Sequence, residues 1–256
     1  MSAAASGASS TPVLKVTDLK KSYGAIHAVA GVSFEVRPGE IFGVIGPNGS
    51  GKTTMFNSVL GQIRPDSGSI QLNGQDITGL SPLELSHRGV GRTFQTLQVF
   101  GKMSVRDNLL VAAQEHHGSM ASRMFAPGDS GLGPKADALI DQFRIGHVAD
   151  QPAGALSYGQ QKLVDIAMAF MSDPELVLLD EPCAGVNPGL VEGISSLLKE
   201  LNRARKGSFV VIEHNMDFVM DLCHRILVLV EGRVLAIGTP DEIRANRQVL
   251  DAYLGN

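Results

Sequence analysis

Tryptophan is absent from this 256-residue chain, cysteine occurs only twice, and no wholly aliphatic run exceeds the five residues of Ile226 to Val230. A membrane span needs about 20 consecutive apolar residues, so any role at a membrane would have to act through a partner. Cys183 and Cys223 are far apart and form neither a Cys-x-x-Cys pair nor a Cys/His ligand set. Two reduced thiols of a cytosolic protein are the expectation. A basic excess is missing too: 22 Lys and Arg stand against 26 Asp and Glu, a net charge of −4, with the cations scattered. That balance lacks the electrostatic footprint of a nucleic-acid binder, and no nucleic-acid partner is expected. Residues 1–12 are small and polar, without a charged start or an apolar stretch, which predicts a disordered leader instead of a signal peptide.

What is present reads as an ordinary globular α/β composition, 43% hydrophobic and 19% charged with 29 glycines. The length is enough to bury a full core as one large domain, with or without a subdomain. Val13 to Leu19 and Val29 to Val36 alternate as strands around the turn-like Ser22-Tyr23-Gly24, and Ile41 to Ile45 is a short run of the buried type. Lys52 to Leu60 then carries apolar residues at helical spacing, and Ser69 to Leu72 before Asn73-Gly74, with Val90 to Phe94, returns to strand.

Residues 96–155 change character. Val105 to Ala113 and Ala136 to Phe143 have helical spacing, and the glycines and prolines of Gly118 to Pro134 predict a surface loop between them. Beyond Ala155 helices alternate with buried strands: Gly159 to Met171 helical, Leu176 to Leu179 strand, Gly189 to Ala204 helix, Ser208 to Ile212 and Arg225 to Val230 strands. The alternation argues for a mostly parallel sheet, and Pro240 to Leu254 reads as a pair of short helices.

Gly46-Pro47-Asn48-Gly49-Ser50-Gly51-Lys52-Thr53, followed by Thr54, satisfies G-x-x-x-x-G-K-[ST] in full. Glycines let backbone N–H groups converge on phosphate, and the helix that follows offers its positive N-terminal end. Lys52 is expected to reach the β and γ phosphates of ATP and the Thr53 hydroxyl to ligate Mg²⁺. A glycine-rich turn matched by chance is the alternative, and the buried strand before it and the helix after it speak against that. Leu176-Val-Leu-Leu-Asp180-Glu181 is a buried strand ending in two carboxylates on the edge where such a loop would lie. Asp180 is expected to hold Mg²⁺ and Glu181 to accept a proton from attacking water. Alone, an apolar strand ending in two acids is as often structural; its meaning comes from following a complete phosphate loop.

Leu156-Ser157-Tyr158-Gly159-Gln160-Gln161 resembles the signature element of ABC ATPases, with Tyr158 standing where most members have glycine. The resemblance implies an ABC nucleotide-binding domain over residues 13–256, a P-loop NTPase fold with a mostly parallel core sheet, an antiparallel β subdomain and an α-helical subdomain at about residues 96–155. It also implies that Ser157, Gly159 and Gln160 meet ATP held by an opposite subunit, so that the working form is a dimer with itself or a paralogue. Tyr23 resembles the aromatic that stacks on adenine, Gln95 the glutamine that joins the metal and the attacking water, and His214 the γ-phosphate sensor. Asn187 sits where many relatives have aspartate. Each of these residues would be unremarkable alone; their order along the chain is what carries meaning.

The likeness narrows further. Arg92-Thr-Phe-Gln95 with Val99-Phe100, Ser104 to Val111, Ala184-Gly-Val-Asn-Pro188, and Gly238 to Ile243 with Tyr253-Leu-Gly255 are similar to the ATPase subunits of branched-chain amino acid importers, in the hydrophobic amino acid uptake family, which also includes urea and amide importers. Implied partners are a second ATPase, transmembrane permease subunits and, indirectly, a periplasmic or extracellular solute-binding protein, at the cytoplasmic face of a bacterial or archaeal membrane. Residues 95–100 would form a groove for the permease, unless Leu97, Val99 and Phe100 are core. A soluble ABC ATPase acting on ribosomes or chromosomes is the competing class, and the single cassette with neither heptads nor a basic arm counts against it. A cassette that binds nucleotide without hydrolysing it is opposed by intact Lys52, Asp180, Glu181 and His214.

Overall fold

The computed structural model describes residues 11–93, 97–113 and 131–254, so the expected leader falls almost wholly outside the described residues. The chain opens with an antiparallel hairpin of β1 (Leu14–Tyr23) and β2 (Ile26–Val36). Tyr23 ends the strand, and the turn is formed by Gly24 and Ala25 instead. β3 (Ile41–Ile45) is buried at all five positions and leads through the glycine-rich loop into α1 (Lys52–Val59). β4 (Ser67–Leu72) and β5 (Gln75–Asp76) return on either side of the Asn73-Gly74 turn, and α2 (Pro82–Ser86) and β6 (Val90–Arg92) follow.

α3 (Val105–Ala112) and α4 (Leu132–Gln142) form the helical insertion with two 3-10 turns at 146–148 and 153–155. α4 starts earlier than its periodicity suggests, with Pro134 inside its first turn. Proline is tolerated there, because the first N–H groups of a helix have no intrahelical partner. The remainder of the predicted loop, residues 118–130, lies outside the described residues. α5 (Tyr158–Ala169), β7 (Leu176–Asp180), α6 (Pro188–Arg205), β8 (Ser208–Ile212), α7 (Met216–Leu222), β9 (Arg225–Val230), β10 (Arg233–Gly238), α8 (Pro240–Ala245) and α9 (Arg247–Leu254) complete the described chain.

The strands form two sheets. Four antiparallel strands run in the order β2-β1-β4-β5, and six run in the order β10-β9-β3-β8-β7-β6, where every pairing is parallel except β10 with β9. Alternate residues of the large sheet feed two separate cores. Phe42, Val44, Leu176, Leu178, Val210 and Ile212 face α1 and the antiparallel sheet. Ile41, Ile45, Val177, Leu179, Phe209 and Val211 face the helical layer. Burial on both faces explains why these strands are continuous apolar runs, as expected of a covered parallel sheet. Phe34 stacks on Phe42 at 5.5 Å between centroids and joins the two sheets, while Phe170 meets Phe209 edge-on at 5.8 Å across the other layer.

Candidate active site

β3, β8 and β7 are neighbours, and all three run in the same direction, so their C-terminal ends share one edge of the sheet. Beyond those ends lie Gly46, Glu213-His214 and Asp180-Glu181. Ligands of open parallel sheets sit outside such carboxyl ends.

In the loop after β3, glycine is imposed by close approach. A Cβ on Gly46 would fall 2.1 Å from the carbonyl oxygen of Leu229, and one on Gly51, where φ is 97°, would fall 2.0 Å from that of Ala28. Pro47 is half-buried, Asn48 and Gly49 are exposed, Ser50 is buried, and Thr53 and Thr54 occupy the first turn of α1. Gly51 caps α1 without a side-chain acceptor, and the first turn contains no acid. By contrast α2, α5 and α8 are closed by capping boxes, Ser81 with Glu84, Ser157 with Gln160, and Thr239 with Glu242. The N–H groups opening α1 therefore have no side-chain acceptor from the N-cap, a helix start of the kind that suits an anion. Lys52 is buried, and its Nζ donates to the carbonyl oxygens of Gly46 at 2.8 Å and Pro47 at 3.0 Å. Burial holds this ammonium below its ordinary pKa, opposed by the Glu181 carboxylate.

Asp180 closes β7, and its carboxyl is pushed up to about 6 by burial and then by the neighbouring Glu181 carboxylate. Its N–H donates to Thr93 Oγ1 at 3.2 Å, which pins the strand beside the segment entering Gln95; Gln95 itself lies outside the described residues. Glu181 adopts a left-handed φ of 47° and donates its N–H to the Ile212 carbonyl at 2.9 Å. This conformation costs a non-glycine residue about 1–3 kcal/mol and is held only where surroundings impose it. It turns the Glu181 side chain so that Oε1 lies 2.8 Å from Nε2 of His214.

Tyr23 is exposed, opposite the more exposed Ile26 in the hairpin, with Lys21 Nζ 5.8 Å from its ring centroid. The same hairpin supplies the Ala28 carbonyl against which Gly51 packs. Ser157, Gly159 and Gln160 are elsewhere. Ser157 accepts from the Gln160 N–H, Gln160 Oε1 accepts from Ser157 N–H at 3.0 Å and reaches His147 through its amide, and a Cβ on Gly159 would meet Leu190 Cδ2 at 2.4 Å. One chain therefore brings together the loop, both acids and the histidine, whereas the described contacts of Ser157, Gly159 and Gln160 are with one another, His147 and Leu190. Tyr158 covers Gly185, and Asn187 caps α6 by accepting from the Gly189 N–H at 2.9 Å.

Three polar residues at this edge went unforeseen. Glu213 is 3% exposed and ends the buried run of β8; a lone carboxylate closing an apolar strand was the available signal, hidden by the histidine after it. Lys162 and Asp165, a turn apart in α5, are buried with Nζ and Oδ2 unpartnered. Asp165 also lines a cavity of about 560 Å³ with Leu60, Leu85, Val90, Arg92 and Gln98.

These groups suit one chemistry. An anion would be held by α1 and Lys52, and a carboxylate with a hydroxyl are the hard oxygen donors that Mg²⁺ prefers. Among the described residues no cluster of three or more His, Cys, Asp or Glu could hold a metal ion.

The ABC transporter family model matches residues 29–184, and that of the branched-chain amino acid ATP-binding cassette transporter matches residues 233–256. The branched-chain amino acid transport ATP-binding protein BraF of Pseudomonas aeruginosa is 36% identical over 252 residues, covering 96% of this chain and 99% of the relative. The lipopolysaccharide export ATP-binding protein LptB of Haemophilus influenzae is also 36% identical, over 243 residues, covering 95% and 97%. An ATP-binding cassette of an ABC transporter, solved in its ADP conformation, superimposes with a TM-score of 0.86 at 34% identity, covering 96% of this chain and 99% of that one. With the phosphate loop, paired acids and histidine on one sheet edge, and with likeness along almost its whole length, the chain belongs to the ABC transporter family as one of its ATP-hydrolysing subunits.

Proposed function

We propose that the chain powers an importer for branched-chain or other hydrophobic amino acids by binding and hydrolysing Mg-ATP at the edge formed by β3, β8 and β7. The observation that carries the hydrolytic part is the 2.8 Å contact of Glu181 Oε1 with His214 Nε2, beside an uncapped α1 and a buried Lys52. In this reading the backbone of Gly46 to Thr54 and the Lys52 ammonium hold the β and γ phosphates, with Lys52 leaving its loop carbonyls for phosphate oxygens. Thr53, Asp180 and Gln95 hold Mg²⁺, which neutralises phosphate charge when bound. Glu181 takes a proton from the attacking water, and His214 orients that carboxylate and contacts the γ-phosphate. Tyr23 stacks on the base. Ser157, Gly159 and Gln160 serve the site of a second ATPase subunit, which the exposed Ser157 is open to meet.

Among the described residues no helix is long and apolar enough to cross a membrane, so transport requires permease subunits. We place the chain at the cytoplasmic face of the membrane, with a solute-binding protein outside. The cavity beside Arg92, Gln98 and Asp165 suits a permease segment. The chain nearby divides its roles: Val99 packs on the core, whereas Phe100 is half exposed beside the groove-lining Gln98. The match of residues 233–256 favours amino acid cargo over lipopolysaccharide export or a urea or amide import system. The test is capture of Glu181→Gln from native membranes in Mg-ATP, which should trap the closed dimer. Recovery of a permease pair with amino acid uptake genes beside it supports the proposal; ribosomal or chromosomal partners without a membrane subunit would overturn it.

A further inference from the structure

Glu213 is buried where the two catalytic loops meet, and its carboxylate accepts from three backbone N–H groups. Oε1 accepts from the Cys183 N–H at 2.7 Å, and Oε2 accepts from the N–H groups of His214 at 2.9 Å and Asn215 at 3.2 Å. Cys183 follows Glu181 by two residues, in the loop that continues to Asn187; His214 and Asn215 open the loop after β8. The only other described backbone tie between these loops is the bond from Glu181 N–H to the Ile212 carbonyl. A single side chain thus bonds to both segments whose side chains meet at Glu181 and His214.

We infer that Glu213 is a positioning residue for hydrolysis, a carboxylate staple that sets the spacing of Glu181 and His214 without touching nucleotide. The inference rests on the hydrolytic roles proposed above for those two residues. Carboxylate chemistry is needed because all three partners are donors. An amide at this position can accept on one side only and would turn its own N–H groups towards either Cys183 or His214 and Asn215. A charged acceptor among N–H donors also makes hydrogen bonds stronger than neutral ones. Other charges lie near the staple: the Asp180 carboxyl feels both Glu213 and the ammonium of Lys162, which is buried in α5 and supplies opposite charge from the helical layer. The Cys183 thiol faces the same carboxylate, and burial pushes that thiol up in pKa, so it stays a neutral donor.

The alternative is that Glu213 merely stabilises two loops. Rate and stability separate these outcomes. We would measure steady-state Mg-ATP hydrolysis, affinity for a fluorescent ATP analogue and thermal melting for the full-length chain and for Glu213→Gln, Glu213→Asp, His214→Ala and the double variant Glu213→Gln/His214→Ala. Misplacing reacting groups by about 1 Å can cost about 100-fold in rate. The expected result is a fall in kcat of about 10- to 100-fold in Glu213→Gln, with nucleotide affinity kept within about twofold. Glu213→Asp, which keeps the charge one methylene short, should lose less and guards against a Gln variant that does not fold. In the His214→Ala background Glu213→Gln should remove little more, because residues acting as one unit are not additive. Unchanged kcat, equal loss of affinity and kcat, or a full multiplicative loss in the His214→Ala background would each overturn the inference. Failure of the underlying assignment looks different: Glu181→Gln would then hydrolyse as fast as the unaltered chain.

Discussion

Lys52 holds the carbonyl oxygen of Gly46 with its ammonium at 2.8 Å, bending back over the loop that joins β3 to α1. The buried cation keeps these protein acceptors until an anion offers better ones. Lys52→Ala should therefore weaken ATP binding by about 10- to 100-fold, the worth of one or two hydrogen bonds from a charged donor. Glu181→Gln should leave binding intact and reduce turnover by about 10² to 10⁴. Titration with fluorescent nucleotide beside measured kcat distinguishes the two; a Glu181→Gln variant that loses affinity instead of rate would contradict the assigned roles.

The glycines of the loop are not equivalent. Ala at position 46 would drive its methyl into the backbone carbonyl of Leu229, which cannot swing aside as a side chain can, whereas nothing lies within 4 Å of a Cβ on Gly49. Gly49 retains only the cost of its φ of 79°, about 1–2 kcal/mol for an L residue. Gly46→Ala is expected to abolish nucleotide binding and lower the melting temperature, and Gly49→Ala to bind within about tenfold of the unaltered chain.

Asp165 supplies a pH dependence. Burial pushes its carboxyl up to about 6 from an ordinary value of 3.8, against the pull of Lys162 and the Gln98 N–H. The folded chain then binds more protons than the unfolded chain between these values, so this group's contribution to unfolding free energy falls as pH rises from about 4 to about 6. The full swing is about 3 kcal/mol for a shift of about two pH units. Urea unfolding at successive pH values should show that decline, and Asp165→Asn should make it shallower, leaving the share of Asp180, whose carboxyl is also pushed up to about 6. An unchanged curve would mean the carboxylate is better solvated than its burial implies.

The Asn187 side chain does what an aspartate at this position could also do, accepting from the Gly189 N–H to cap α6. Asn187→Asp should alter stability by less than about 0.5 kcal/mol, and Asn187→Ala should cost about 1 kcal/mol. Denaturant midpoints at constant slope are the measurement.

The parts of this site that are contiguous in the chain were legible before folding. Gly46 to Thr53 is one segment whose strand, loop and helix context could be read from apolar spacing, and Asp180-Glu181 ends a run of buried residues. The contact between Glu181 and His214 was not legible, since it depends on β7 and β8 pairing so that Asp180 lies opposite Ile212. Glu213 was passed over for the same reason: its three donors lie in two loops that meet only after the sheet forms. β10 escaped notice because its apolar run, Val234 to Ile237, is short, half-buried at a sheet edge and without the alternation of a one-sided strand. Its turn at Glu231 and Gly232, both with positive φ, was the available signal. α2 and α7 are too short, at five and seven residues, to display a helical period.

The central position of β8 gives the sheet the character of a measuring scale. Strands stand about 4.8 Å apart, so the phosphate loop and the paired acids are separated by about two such steps, with the histidine on the mark between them. Each residue along β8 is worth about 3.3 Å and reverses the face on which a side chain emerges. An inserted residue at the exposed Lys206, just past the end of α6, could be absorbed before the scale begins. The same insertion inside Ser208 to Ile212 would slide Glu213 and His214 off their marks while leaving an apolar strand for the sheet to bury, giving a chain that folds around a miscalibrated reaction centre.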